Sequence, residues 1–177
     1  MNHKTFLFAL FVFYSMMLFG QNRPVPDYLL KQDFPDSVNH TVLMTFTDDT
    51  TTLSQVLNQY KGSKVFVDIW ASWCRDCLVT LPEYNKLRKN TRKENIVYLL
   101  LSVDKEDQKW KSAIDRFKIK GEHYRFVKGW HNAFSAYIDL DWVPRYMIID
   151  EAGNVIQGKS IHVDDKSLLN TLTEPSK

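Results

Sequence analysis

The distribution of apolar and polar residues predicts strands of two kinds. Residues 65–70 are apolar except for Asp68, and residues 96–103 form a second, almost continuous apolar run. Such runs are typical of central strands that are buried on both faces of a sheet. Residues 41–47 instead alternate apolar and polar side chains, which is the period-two spacing of a strand with two unlike faces.

Segments with apolar residues at helical spacing alternate with these strands along the chain. Helices are predicted over residues 53–60, 74–89, 104–118 and 132–138 and around Leu168, Leu169 and Leu172, with short strands at 123–127, 145–150 and 155–158. Pro82 lies inside the second of these helices and predicts a kink there. Strands and helices in this order predict an α/β domain with a mixed central sheet.

The first 20 residues have the layout of a secretory signal peptide. His3 and Lys4 precede an apolar stretch, residues 6–19, which is shorter than the roughly 20 residues that a membrane-spanning helix needs. We therefore predict cleavage after Gly20 and export, with membrane association only if the segment is retained. The exported protein would be periplasmic in a Gram-negative bacterium and otherwise extracytoplasmic. The predicted organisation is a signal peptide (residues 1–20), a polar, proline-bearing lead (21–40) and one domain (41–177).

Composition and charge restrict the functional classes. The 177-residue chain has a formal net charge of only +2 and no long basic run, which argues against nucleic acid as a partner. Its 44% hydrophobic content is sufficient for a globular core. Cys74 and Cys77 are its two cysteines. A disulfide between them would close so small a loop that it would add little stability, so a structural role explains them poorly.

The Cys-x-x-Cys spacing of Cys74 and Cys77 fits either a redox-active pair or half of a zinc site. A zinc site needs two further ligands. The sequence has no other cysteine, and His123, His131 and His162 lack the usual ligand spacing. In an exported protein, a Cys-x-x-Cys that follows a strand and begins a helix favours redox chemistry without a bound cofactor. The positive end of the helix dipole favours a thiolate on the first cysteine.

Two segments of the chain carry a family resemblance. Residues 67–77, Val-Asp-Ile-Trp-Ala-Ser-Trp-Cys-Arg-Asp-Cys, resemble the active-site segment of the thioredoxin superfamily. Residues 142–156, which begin Trp-Val-Pro-Arg, resemble the cis-proline strand and hairpin of that superfamily. The extra helical segment at about 105–140, before this proline, resembles the exported, TlpA-like branch. The resemblance implies a thioredoxin fold, a mixed central sheet flanked by helices, with thiol–disulfide exchange as its activity.

The resemblance implies a role for each matching residue. Cys74 matches the exposed attacking cysteine and Cys77 the resolving cysteine, and Trp73 matches the aromatic residue that lines the site. Pro144 matches the cis-proline opposite the disulfide. A cis bond there would present the Val143 backbone to an incoming chain as a docking edge. An ordinary trans proline at the start of a strand is the alternative.

Two charged residues and three aromatic residues are further candidates. Asp68 matches the superfamily's buried acid behind the second cysteine, whose raised pKa would let it take the proton of that cysteine. A satisfied structural carboxylate is the alternative. Arg145 could select acidic substrates or stabilise a thiolate, or it could be a solvated surface arginine. Trp130, Trp142 and Tyr146 could form a docking surface, although aromatic residues are more often in the core.

The chain also departs from the pattern of the superfamily. Arg75 and Asp76 separate the cysteines, where Gly-Pro is the commonest pair. Arg75 should favour the thiolate of Cys74, and Asp76 should oppose it. Thr80 lies where reductases of cytochrome c maturation in this branch often have a glutamate, which weakens the case for a cytochrome c partner.

We predict an exported oxidoreductase that exchanges thiols and disulfides with proteins, more readily as a reductant, while a separate redox partner resets the cysteine pair. Two alternatives use the same fold. A copper-handling chaperone would bind Cu(I) through both thiolates and a histidine, for which His162 is the nearest candidate. A non-catalytic binding module would keep its function without the nucleophile Cys74.

Overall fold

The computed structural model of the protein describes residues 34–174. The strands are β1 (Val42–Thr45), β2 (Thr50–Thr52), β3 (Lys64–Trp70), β4 (Ile96–Ser102), β5 (Glu122–Phe126), β6 (Arg145–Ile149) and β7 (Val155–Ser160). The helices are α1 (Asp36–Asn39), α2 (Leu53–Gln59), α3 (Arg75–Val79), α4 (Leu81–Asn90), α5 (Asp107–Phe117), α6 (Ala133–Tyr137) and α7 (Lys166–Thr173). The predicted signal peptide and the first part of the predicted lead lie outside the described residues. Within residues 34–174, no helix has the length and apolar character needed to cross a membrane.

The described strands form one mixed sheet in the order β2-β1-β5-β4-β3-β6-β7. β3, β4 and β5 run parallel to one another, whereas β6 runs antiparallel to β3 and β1 antiparallel to β5. Every residue of β3 is buried, as its apolar sequence predicts. The predicted α/β class with a mixed sheet is confirmed, and so is the extra segment of α5, β5 and α6 before β6.

Two local predictions are wrong. The helix predicted over residues 74–89 consists of two helices, α3 and α4, which are separated at Thr80. Pro82 therefore lies in the first turn of α4 and not inside a kinked helix. A proline is tolerated there because the first amides of a helix have no intrahelical acceptor. β2 is a strand over residues 50–52, where the sequence pattern predicted no strand.

The last residues of the predicted lead pack on the domain. α1 contacts α6, and the ring of Phe34 makes an edge-to-face contact with Phe134, with 5.8 Å between the centroids. Residues 34–40 are therefore part of the folded structure, so packing begins before the predicted boundary at residue 41.

α7 is joined to the sheet at its C-terminal end. The buried ammonium group of Lys64, the first residue of β3, donates hydrogen bonds to the carbonyl oxygens of Thr171 (3.2 Å) and Glu174 (2.6 Å). Carbonyl groups at a helix end lack intrahelical partners, and a cation there also interacts favourably with the helix dipole. Lys64 therefore connects the start of β3 to α7, at the opposite end of the strand from Trp70.

The sheet topology brings three segments to one edge. β6 is antiparallel to β3 with Arg145 opposite Ile69, so the residues before Arg145 lie beside the chain that leaves β3. β4 is parallel to β3 and ends at the same edge, with Ser102 opposite Trp70. The two segments that carry the family resemblance therefore meet here.

Candidate active site

The cysteine pair lies where β3 leads into α3. Cys74 is the N-cap residue of α3, and Cys77 lies in its first turn. The two residues form a disulfide with 5.3 Å between their Cα atoms. Both are only 6% exposed. Of the two, Cys74 lines an open cavity of about 410 Å³ beside the disulfide, so an incoming group has access to Cys74.

Backbone groups surround the sulfur of Cys74. The Cys77 N–H donates a hydrogen bond to this Sγ at 3.0 Å, and the carbonyl oxygen of Val143 lies 3.4 Å from it. An amide donor directed at the sulfur stabilises the thiolate once the disulfide is reduced. The side chains of Arg75 and Asp76 are exposed on α3, so water weakens their opposing effects on that thiolate.

The second segment of the site precedes β6. The peptide bond between Val143 and Pro144 is cis, as the resemblance implied. Val143 is buried and lines the same cavity as Cys74, while Trp73 is 62% exposed at the rim of that cavity. The structure therefore brings the predicted residues of the two segments together around the disulfide.

Arg145 is not part of this surface. Its side chain is fully buried, so a role in selecting acidic substrates and the alternative of a solvated arginine are both wrong. The guanidinium group donates to the carbonyl oxygens of Ile138 (3.2 Å) and Asp139 (3.5 Å) and forms an ion pair with Asp141. β6 is buried along its length beside the central strand β3, and a charge at such a position is tolerated only when it is paired.

Asp68 is a buried acid in β3. It lies opposite Tyr146 of β6. Burial raises the pKa of its carboxyl group from 3.8 to about 7 because removal from water disfavours the charged form. The Oδ1 atom has no hydrogen-bond partner among the described residues, so this oxygen does not fit the alternative of a satisfied structural carboxylate. An acid with a pKa near neutrality can accept and release a proton under ordinary conditions.

Comparison with known proteins assigns a family to this arrangement. A model of the Redoxin family matches residues 31–172 of the chain. The protein belongs to the Redoxin family. The resemblance to the thioredoxin superfamily that the two sequence segments carry is confirmed by this match and by similar solved structures.

The relatives of this Redoxin-family chain include thiol-disulfide oxidoreductases. ResA of Bacillus thuringiensis, a thiol-disulfide oxidoreductase, is 27% identical over 64 residues, which are 36% of this chain and 37% of ResA. The match therefore spans little more than a third of this curated relative.

Two solved structures resemble the whole domain. The thioredoxin domain of a thiol-disulfide oxidoreductase from Bacteroides vulgatus has a TM-score of 0.62 and 21% identity, covering 74% of this chain and 89% of that chain. A secreted disulfide oxidoreductase of Mycobacterium tuberculosis, homologous to DsbE of E. coli, has a TM-score of 0.57 and 11% identity, covering 78% of this chain and 98% of that chain. At these identities the matches establish a thioredoxin fold.

Three tryptophans border the disulfide in this Redoxin-family protein. Trp73, Trp130 and Trp142 line the same cavity as Cys74. Trp142 is 55% exposed and Tyr146 is buried. The alternative of a core position is therefore confirmed for Tyr146 and wrong for Trp142. The signal in the sequence that identifies Trp142 is its position two residues before the cis-proline.

Thr80 links Cys77 to the sheet. Its hydroxyl oxygen lies 3.1 Å from the carbonyl oxygen of Cys77 and 3.3 Å from the hydroxyl oxygen of Tyr146. Tyr146 lies opposite Asp68 in the sheet. The two hydroxyl groups therefore connect the helix of the second cysteine to the face of the sheet that carries the buried acid, a link that sequence reasoning missed.

A buried carboxylate fixes the chain just before Trp73. Asp104 accepts hydrogen bonds from the N–H (2.8 Å) and the hydroxyl (2.7 Å) of Ser72 and from the hydroxyl of Ser102 (2.7 Å). These bonds tie the segment after β3 to the end of β4. Sequence reasoning missed Asp104, although an acid directly after a buried apolar run is an unusual pattern.

The copper hypothesis requires a third ligand beside the two sulfur atoms. Within residues 34–174, no group of three or more His, Cys, Asp and Glu side chains is arranged to hold a metal ion.

Proposed function

We propose that this Redoxin-family protein is a thiol–disulfide oxidoreductase that exchanges disulfides with other proteins through Cys74 and Cys77. One observation carries the proposal: the disulfide lies at the start of a helix, and Cys74 lines an open cavity. A bridge between residues only three positions apart contributes little stability through loop closure. Its accessible position is instead the one that reversible exchange requires.

Exchange proceeds through a mixed disulfide. In the reducing direction, the Cys74 thiolate attacks one sulfur of a partner disulfide, and the other partner sulfur leaves as a thiolate. The Cys77 thiol then loses its proton and attacks the Cys74 sulfur. The second partner sulfur leaves, and Cys74 and Cys77 become a disulfide. Two electrons have passed to the partner, so an external dithiol must reduce the pair before the next cycle.

Asp68 is the proposed acceptor of the Cys77 proton. Its carboxyl group has a pKa of about 7, so it is partly ionised near neutrality and can receive a proton. Thr80 and Tyr146 connect the backbone of Cys77 to the face of the sheet that carries Asp68. A base so positioned makes Cys77 a better nucleophile when the mixed disulfide must be resolved.

The proposed substrates are polypeptides that dock beside the disulfide. The cavity wall formed by Trp73, Trp130 and Trp142 is apolar and aromatic, which favours contact with apolar side chains. Val143, whose carbonyl group faces Cys74, offers backbone to an extended chain.

Truncation of Trp142 tests this docking surface. We expect Trp142→Ala to raise the KM for a protein disulfide such as insulin about tenfold, the effect of losing about 1.4 kcal/mol of binding. The rate with hydroxyethyl disulfide, which is too small to span the cavity, should stay within about twofold. Phe117→Ala, which truncates an exposed aromatic residue of α5, is the control and should leave both substrates unaffected. Equal effects of the two variants on insulin reduction would contradict the assignment.

We propose that the protein acts outside the cytoplasm and as a reductant. Residues 1–20 carry the pattern of a signal peptide, and the related M. tuberculosis oxidoreductase is secreted. The relevant partners are then exported proteins with disulfides, together with a separate dithiol protein that returns electrons to Cys74. In a Gram-negative cell this compartment is the periplasm.

A redox titration of the Cys74–Cys77 pair tests both the activity and its direction. The protein is equilibrated in dithiothreitol or glutathione buffers, and the thiols are counted by alkylation and mass spectrometry. We expect a reversible two-electron couple near the thioredoxin value of about −270 mV, whereas a value near about −120 mV would make the protein an oxidant. If no disulfide forms in any buffer, the exchange mechanism is wrong.

A further inference from the structure

The guanidinium group of Arg145 is an unexpected charge in the core. Arg145 is the first residue of β6 and directly follows Pro144, and its side chain is fully buried. Removing a guanidinium group from water is costly unless hydrogen bonds and an opposite charge compensate it. The groups that compensate the buried charge show which part of the chain Arg145 holds in place.

All the described hydrogen-bond partners of the Arg145 side chain lie in the short irregular segment between α6 and β6. Nη1 donates to the carbonyl oxygen of Ile138, and Nη2 donates to that of Asp139 and pairs with the Asp141 carboxylate. Ile138 is the C-cap residue of α6, and Asp139 has a left-handed backbone with φ of 47°. Carbonyl oxygens at such a helix end have no intrahelical N–H donors, and the buried guanidinium group supplies donors to them.

A second cation acts on the same carboxylate from the surface. Lys159 of β7 forms an ion pair with the other oxygen of Asp141 at 2.6 Å. The hydrogen bond from Lys159 and the charge of Arg145 lower the pKa of Asp141, so this carboxylate stays ionised and available to both cations. Asp141 therefore links Arg145, at the start of β6, to Lys159 on the neighbouring strand β7.

The braced segment continues directly into the docking surface. Trp142 and Val143 follow Asp141, and the carbonyl oxygen of Val143 lies 3.4 Å from the Cys74 sulfur. We propose that Arg145 is a positioning residue that holds residues 138–143 in place, so that the docking surface is preformed for polypeptide disulfides. This inference rests on the proposed function and adds to it a residue that controls acceptance of large substrates without touching them.

The chemistry of arginine suits this role better than that of lysine. A planar guanidinium group has five N–H donors in fixed directions and can bind two carbonyl groups and a carboxylate together. A lysine at the same position keeps the charge but has a single nitrogen for the three acceptors. The conservative exchange therefore separates the effect of the charge from the effect of the geometry.

The test compares Arg145→Met and Arg145→Lys with Lys64→Met. Lys64 is the matched control because it is also a buried cation that binds carbonyl oxygens at a helix end, but at the opposite end of β3. Initial rates are measured with insulin and with hydroxyethyl disulfide, with dithiothreitol as the recycling reductant, alongside thermal unfolding. A role in stability alone would affect both cations alike, whereas a positioning role would affect substrate size preference only at Arg145.

We expect both methionine variants to unfold at lower temperatures, but only Arg145→Met to raise the KM for insulin, by about tenfold. Its rate with hydroxyethyl disulfide should stay within about twofold of wild type. The KM of Arg145→Lys for insulin should lie between that of wild type and that of Arg145→Met. If Arg145→Met and Lys64→Met have the same ratio of insulin to hydroxyethyl disulfide rates, the inference is overturned.

The same measurements distinguish failure of the positioning role from failure of the proposed function. If Arg145→Met does not fold, Arg145→Lys provides the test, since it keeps the buried charge but offers a single nitrogen to the three acceptors; we expect a KM for insulin about threefold higher, and an unchanged KM overturns the inference. If the wild type reduces neither disulfide, the proposed function fails. If the wild type reduces both and the Arg145 variants match it, only the positioning role fails.

Discussion

Cys77→Ser should turn the protein into a trap for its substrates. Cys74 keeps its access to the cavity and its amide donor, which comes from the backbone of residue 77 and survives the substitution. The variant therefore still forms mixed disulfides but lacks the thiol that resolves them. We expect turnover with insulin to fall by at least about a thousandfold, while a covalent one-to-one adduct accumulates that mass spectrometry detects and excess dithiothreitol releases.

Cys74→Ser is the matched control, because it removes one sulfur and leaves the other. Turnover should be lost to the same extent, but little adduct should form, since Cys77 is buried and does not line the cavity. Adducts of equal yield in the two variants would mean that the order of attack is wrong. The absence of any adduct with Cys77→Ser would contradict exchange through a mixed disulfide.

Asp68→Asn should slow resolution of the mixed disulfide by about a hundredfold, the lower end of what a positioned general base contributes. The wild-type rate should rise with pH up to about 7, because the Asp68 carboxyl group must be ionised to accept the Cys77 proton and its pKa is about 7. Asparagine cannot accept a proton in this range, so the variant should lose this inflection. Single-turnover reduction of insulin from pH 5 to 9 measures both effects. An unchanged inflection in the variant would assign it to another group.

The same carboxyl group makes stability depend on pH. Its pKa rises from 3.8 to about 7 on folding, so between these values the folded chain binds more protons than the unfolded chain. Stability of the oxidised protein should therefore fall as pH rises through this range and level off above it. The full effect is about 4 kcal/mol, at about 1.4 kcal/mol for each tenfold change in the dissociation constant.

Urea unfolding of oxidised wild type and Asp68→Asn at pH 5 and pH 8 measures this difference. The variant carries no ionisable group at the position. The free energy of unfolding of the variant minus that of wild type should therefore be larger at pH 8 than at pH 5. A constant difference between the two proteins would show that Asp68 is already ionised in the folded protein at both pH values, as it is in the unfolded chain. Thr80→Val, which removes the hydroxyl near Cys77 but no ionisable group, is the control and should shift stability by the same amount at both pH values.

The centre of the fold was predictable because burial on both faces leaves a simple pattern in the sequence. The apolar runs of β3 and β4 identify the parallel core, and the cysteine pair follows β3 directly. The boundary of α4 was less predictable, because Pro82 is compatible with a kink inside a helix and with a helix start. Local sequence does not decide between these, whereas the hydrogen bonds at Thr80 do.

The surroundings of the disulfide depended on contacts that sequence spacing does not encode. Arg145 and Trp142 are three positions apart, and the arginine is buried while the tryptophan is half exposed, the reverse of what their chemistry favours. The cause is tertiary: β6 begins at Arg145 beside the central strand, and residues 138–141 provide its acceptors. The role of Asp104 likewise depends on a tertiary contact: the pairing of β4 with β3 brings its carboxylate within hydrogen-bonding distance of Ser72.

The Cys74 sulfur and the Val143 carbonyl group that faces it come from positions 69 residues apart in the chain. They are joined across the pairing of β3 with β6, and each has its own support: Asp104 holds the segment before the cysteines, and Arg145 holds the segment before the proline. The two supports are separate, but the segments meet at the sulfur: the Val143 carbonyl faces Cys74, and Arg75 and Asp76 line the same cavity as Trp142. A substitution in either segment therefore acts on docking, whereas one that reaches Val143 or the cysteines also acts on the reactivity of the disulfide.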